Sequence, residues 1–228
     1  MEQTLEIFRQ LAEGFGNTVL LFALTLVFSL PLGLLIAFGA MSRFKPLKYL
    51  MKGIVWVVRG TPLMLQILAV SLIPYYVFGV MNKDLMISLN VSMQGLLTFF
   101  VVIAFVINYS CYFSEIFRGG IQSIPKGQYE AAQVLGLTKK QIFFKVILFQ
   151  LVKKILAPVS NEVITLVKDT ALAQVLGVVE LFNAASHAVN EFVVLTPLIY
   201  AAIFYLIFNG LLTILFGRLE KRFGFYKE

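Results

Sequence analysis

Five polar residues crowd one short stretch of an apolar run: Asn161, Glu162, Thr165, Lys168 and Asp169. Counted from Asn161 at 100° per residue, they project at roughly 0°, 100°, 40°, −20° and 80° on a helix. All five share a sector of about 120°, while Val163, Ile164, Leu166 and Val167 fill the other directions. In a bilayer each charge costs about 2.5–3.5 kcal/mol on insertion scales, so three on one face must meet a partner or water. Two readings follow. The face lines a path for a zwitterion, offering it an anionic and a cationic partner. Alternatively, Lys168 pairs with Glu162 or Asp169 and locks helices together. A lock needs only two charges, whereas this face has three plus an amide and a hydroxyl.

Covalent chemistry finds little support. Cys111 is the single cysteine and His187 the single histidine. They supply neither a nucleophile with its base nor a metal-ligand set, and an intrachain disulfide is excluded. No Gly-x-x-x-x-Gly-Lys-Ser/Thr loop is present, so ATP is not expected to bind this chain by that means. The chain does not read as an enzyme.

A second polar stretch, Ser123 to Gln141, reads as two helices joined by a tight bend. Ser123 can cap the first helix, Pro125 suits its first turn, and Gly136 can take the left-handed backbone that ends it. Thr138 and Gln141 fit a capping box that opens the second helix. Glu130, Ala131 and Ala132 form a patch of small side chains that another protein's groove could approach closely. A polar knuckle of this kind between membrane spans is a docking handle.

The elements that position these residues are written in the composition. The 228 residues are 59% hydrophobic and 14% charged, with mean hydropathy +0.87, which places the chain among multi-span membrane proteins. The net charge of +7 sits beside apolar spans, so it orients the chain in a bilayer; no nucleic acid is implied. Residues 1–13 read as a short interfacial helix, with Leu5, Phe8, Leu11 and Ala12 on one side. The start Met1-Glu2 lacks a basic n-region, so no cleaved signal peptide is expected.

Five crossings are expected: Asn17 to Met41, Pro62 to Val80, Ser92 to Ser114, Leu156 to Val179 and Phe192 to Phe216. Pro31 and Gly33 are expected to bend the first, and residues 47–58 lead into the second along the interface. Glu115 and Arg118, three apart on a helix, are placed to pair. With the N-terminus outside, the inner segments hold Arg43, Lys45, Lys48, Lys52, Arg59, Arg118, Lys126, Lys139, Lys140, Lys145, Lys153, Lys154, Arg218, Lys221, Arg222 and Lys227. Only Arg9 and Lys83 fall outside, and Lys168 falls within the fourth crossing. The positive-inside rule favours this arrangement and puts both the knuckle and the C-terminus in the cytoplasm.

The knuckle resembles the "EAA" loop in permease subunits of ATP-binding-cassette (ABC) importers. Glu130, Ala131, Ala132 and Gly136 match it, followed by Val146, Leu148 and Phe149, with Phe149 standing where the family has Pro. Arg59-Gly60-Thr61-Pro62-Leu63, Ser114-Glu115-Ile116-Phe117-Arg118-Gly119-Gly120-Ile121, and Asn161-Glu162 with Leu166-Val167-Lys168-Asp169-Thr170 resemble the polar amino-acid branch. The resemblance spans roughly residues 14–222. It implies an all-α integral membrane protein of about five transmembrane helices, one domain over 1–228, with a cytoplasmic coupling loop at about 118–145. Pro125, Gln128, Tyr129, Glu130, Ala131, Ala132, Gly136 and Leu137 would contact an ATPase. Asn161, Glu162, Thr165, Lys168, Asp169 and Thr170 would line the path of a polar amino acid. Arg59, Thr61, Pro62, Glu115 and Arg118 would be structural or gating residues. The implied partners are two cytoplasmic ATPases, a second permease copy or a paralogue, and an extracytoplasmic solute-binding protein. ATP would be consumed by the partner, with no cofactor on this chain. The setting would be a prokaryotic plasma membrane.

Overall fold

The computed structural model describes residues 2–223; Lys227, part of the basic tail, lies outside them. Every regular element among the described residues is helical. In order they are α1 (Glu2–Ala40), α2 (Lys45–Arg59), α3 (Leu63–Phe78), α4 (Asn82–Leu89), α5 (Met93–Gln122), α6 (Lys126–Val134), α7 (Lys139–Gln141), α8 (Leu148–Asp169), α9 (Leu181–Phe192) and α10 (Thr196–Phe223). A π-helical turn (Ile142–Ile147) joins α7 to α8, and a 3₁₀ segment (Thr170–Leu176) follows α8.

Among the described residues, α1, α5 and α10 are long and apolar enough to cross a membrane. The pair α2 and α3, bent by 109° at its break, counts as a fourth candidate. Lys153, Lys154 and Glu162 make α8 too charged to join that group by composition.

The expected interfacial helix at residues 1–13 is not a separate element. It runs unbroken into the first apolar span as α1, 39 residues in all, about 58 Å long at 1.5 Å per residue. The reason lies in α9. Ile7 and Leu11 are buried against Leu181, Ala184, Ala185 and Ala188, so the amphipathic face meets protein as well as lipid. Gly14 permits this approach, because a Cβ there would stand 2.8 Å from the Ala184 Cβ and 2.9 Å from the Glu180 carbonyl oxygen. Asn17 Nδ2 donates to the Val179 carbonyl at 2.7 Å, and the Leu181 amide donates to Thr18 Oγ1 at 3.0 Å. Pro31 is absorbed inside α1.

Other expected bounds also moved. The third span, read as Ser92 to Ser114, extends as α5 to Gln122, with Ser92 Oγ accepting from the Gly95 amide as its cap. The fifth span, read as Phe192 to Phe216, begins only at Thr196 as α10 and runs on to Phe223, after the separate helix α9. Val193, at φ +55°, makes the break between them. The main core lies where α1, α5 and α8 meet, around Leu21, Phe105, Phe113, Leu166 and Val167.

Candidate functional site

The knuckle has the predicted two-helix grammar with one changed cap. Pro125 occupies the cap position of α6 with φ −58° and ψ 137°, and no side chain caps that helix. Ser123 Oγ instead donates to the Gly120 carbonyl at 2.7 Å, closing the last turn of α5. This corrects the assignment of Ser123 as the cap of α6: it directly follows Gln122 as the C-terminal cap of α5, where the final carbonyls of that helix lack amide partners and its hydroxyl takes one of them. Gly136 takes φ +74°, and the Leu137 amide returns to the Ala132 carbonyl at 3.2 Å. The capping box forms, with the Gln141 amide on Thr138 Oγ1 at 3.4 Å and the Thr138 amide on Gln141 Oε1 at 2.9 Å.

The faces of α6 differ. Gln128, Glu130 and Ala131 are exposed, as are Val134 (88%) and Leu135 (78%). Ala132 is buried at 4% exposure, packed with Ile124, Ile142, Ile147 and Leu151. The sequence reading had offered it to a partner; it serves the knuckle's own core instead. Tyr129 and Leu137 are half-buried against the same cluster, and Gln128 Oε1 accepts from Gln150 Nε2 at 3.2 Å. With Phe149 in place of a proline, nothing interrupts the backbone there, and the chain passes from the π turn straight into α8.

On α8 the polar residues separate from the core as projected. Val163, Leu166 and Val167 are buried, Asn161, Thr165 and Lys168 are exposed, and Glu162 and Asp169 are half-buried. Tyr109 of α5 donates its hydroxyl to Asp169 Oδ2 at 2.7 Å. Among the described residues the ion pairs are Arg9–Glu13, Arg59–Glu115 and Arg118–Glu115, so none ties Lys168 to Glu162 or Asp169. After Asp169 the backbone tightens into the 3₁₀ segment, where Thr170 is buried and donates to the Val167 carbonyl at 2.7 Å.

The third group sits at the sharp bend between α2 and α3. Thr61 Oγ1 donates to the Val57 carbonyl at 3.0 Å, and Pro62 caps α3 at φ −60° and ψ 134°. The Arg59 guanidinium lies 5.0 Å from the Tyr112 ring centre and 3.8 Å from a Glu115 oxygen. Arg118 forks onto the same carboxylate, its Nε donating to Oε1 at 2.9 Å. Sequence reasoning missed the residue that closes the bend. Gln66 Nε2 donates to the Val58 carbonyl at 2.7 Å, the Thr61 carbonyl at 3.1 Å and Thr61 Oγ1 at 2.8 Å, while its Oε1 accepts from Asn108 at 3.0 Å. It also missed Tyr109 and Glu180. The latter is fully buried at the start of α9, where it accepts from the Phe182 and Asn183 amides and the Tyr205 hydroxyl. His187 is exposed.

The knuckle feeds through the π turn directly into the helix that bears the polar face. Residues 29–225 match the model of the binding-protein-dependent transport system inner membrane component family. The chain belongs to this family. It is 35% identical over 218 residues to the L-cystine transport system permease of Bacillus subtilis, covering 95% of this chain and 87% of that protein. It is 32% identical over 216 residues to a probable glutamine ABC transporter permease of the same organism, covering 94% of each. A solved amino acid ABC transporter with histidines superposes with TM-score 0.79 at 29% identity, over 96% of each chain. The chain is thus the permease subunit of an amino-acid ABC importer. The family is one of membrane transport permeases, whose importers also use an ATPase and a substrate-binding protein.

Proposed function

We propose that this permease moves a polar amino acid inward between two permease copies, and that the knuckle carries the motion of a cytoplasmic ATPase to α8. The observation that carries the reading is the packing of α6. Ala132 is buried against Ile142 and Ile147 of the π turn and Leu151 of α8, so displacing α6 displaces the helix that bears the polar face. The exposed Glu130, Ala131, Val134 and Leu135 form the side offered to the ATPase.

The polar face of α8 supports a path at its border. Asn161, Thr165 and Lys168 point away from this chain's own core, and facing lipid with such a face would cost several kcal/mol. A second copy, identical or paralogous, and the water between the two copies give it a polar neighbour. Asp169, held by Tyr109, and Glu162 would meet an ammonium group, and Lys168 a carboxylate. Thr170 sits inside, so it shapes the end of α8.

Five crossings with the N-terminus outside remain our arrangement. It keeps 16 of the 19 Lys and Arg residues inside and puts the knuckle in the cytoplasm of a prokaryotic cell. Two ATPases and one extracytoplasmic solute-binding protein complete the importer, with ATP turned over by the ATPases. Glu130→Lys tests this. Uptake in proteoliposomes should fall to background while the permease stays inserted and less ATPase co-purifies. Wild-type uptake by this variant would count against the knuckle's role.

A further inference from the structure

A cavity of about 470 Å³ lies between α2 and the C-terminal part of α5. Its lining includes Lys52, Val55, Trp56, Arg59, Glu115 and Arg118. Three cations against one carboxylate leave two positive charges in excess. The sequence of α2 explains their concentration. Counted from Lys45 at 100° per residue, Lys48, Lys52 and Arg59 project at roughly −60°, −20° and −40°, and Trp56 at about 20°. The opposite side of α2 holds Leu47, Leu50, Ile54 and Val57, all exposed on this chain. A helix with a cationic edge, an exposed tryptophan (78%) and an apolar underside lies in a membrane interface.

We infer that this cavity holds the headgroup phosphate of an anionic phospholipid of the cytoplasmic leaflet. The inference rests on the orientation proposed above. With Leu50, Ile54 and Val57 turned towards hydrocarbon on its far side, α2 lies at headgroup depth, where its cationic edge meets lipid phosphates. A second copy bringing the same cationic edge would repel it. Arg118 is already forked onto Glu115, so Lys52 is the cation with charge to spare, and Arg59, stacked on Tyr112, is held in place for a phosphate oxygen. Basic pockets between spans on the cytoplasmic side bind anionic headgroups in this way. Because Arg59 also braces the bend into α3, an occupied site would stiffen that bend, and transport should depend on lipid charge.

The test uses the purified permease–ATPase complex, delipidated and re-equilibrated with mixed phosphatidylglycerol and phosphatidylcholine. We expect one phosphatidylglycerol retained per permease copy. Lys52→Gln should weaken retention about fivefold and Lys52→Glu about 25-fold, at about 1 kcal/mol per charge near the surface, with Lys52→Arg retaining it. Uptake in phosphatidylcholine vesicles should fall for wild type and stay low in both lipids for Lys52→Glu. Equal retention by wild type and Lys52→Glu overturns the inference and leaves the permease reading intact. Complete displacement by inorganic phosphate also overturns it, because the site would then take a free anion. A cysteine at position 52 labelled only from the outer side would overturn the shared orientation itself.

Discussion

Gly136 stands at φ +74° with nothing within 4 Å of the place a Cβ would occupy, so alanine there adds backbone strain and no collision. The left-handed conformation costs an L-residue about 1–2 kcal/mol, and asparagine less. At about 1.4 kcal/mol per factor of ten, Gly136→Ala should shift the balance between the ordered and loosened knuckle by roughly five- to thirtyfold. Gly136→Asn should shift it less, and Gly136→Leu at least as much as alanine. Loosening frees Ala132 from Ile142 and Ile147, so α6 can move without moving α8. The assay is amino-acid uptake per ATP hydrolysed in proteoliposomes containing the ATPase and the solute-binding protein. Coupling should fall in the order Gly, Asn, Ala, with insertion unchanged. Equal coupling across the series, or a loss in asparagine as large as in alanine, would refute the backbone argument.

Tyr109→Phe removes the hydrogen bond to Asp169; at about 1.5–3 kcal/mol for a bond to a charged group, half-saturation of uptake should rise tenfold or more, with membrane abundance unchanged. A drop in abundance alone would mean the pair only holds helices together. Gln66→Ala leaves the Asn108 amide without its partner and the Val58 carbonyl with only the longer bond from Thr61 Oγ1, and leaving a buried polar group unpaired costs about 1–3 kcal/mol. The complex should therefore melt several degrees lower in detergent, and an unchanged melting temperature would show that water replaces the glutamine. Val193→Gly should raise the melting temperature, because relieving a left-handed β-branched residue at φ +55° regains about 1 kcal/mol after glycine's own entropy cost.

What the sequence made legible was local. The capping box of Thr138 and Gln141, the left-handed Gly136 and the Glu115–Arg118 pair each depend on residues within one helical turn, and each formed. The polar face of α8 was readable for the same reason, since projection within one helix needs no partner. The failures involve a choice between partners. Ile7 and Leu11 could lie on lipid or on another helix, and only the placement of α9 decides it. Ala132 is as small as Ala131, and which of them faces outward depends on where the π turn runs. The bonds from Tyr109 to Asp169 and from Asn108 to Gln66 join residues 60 and 42 positions apart, with no spacing signal to announce them. Ser123 had an acceptor behind it and a proline-fixed start ahead, and took the acceptor.

Thiol cross-linking at the knuckle tests the central claim most directly. A cysteine placed at Val134, on the exposed side of α6, should cross-link to the ATPase in the assembled importer and abolish uptake. The native thiol of Cys111 is buried and should stay silent. A cross-linked complex that still transports, or an ATPase that joins only to other surfaces while position 134 reacts freely with soluble reagents, would contradict the account.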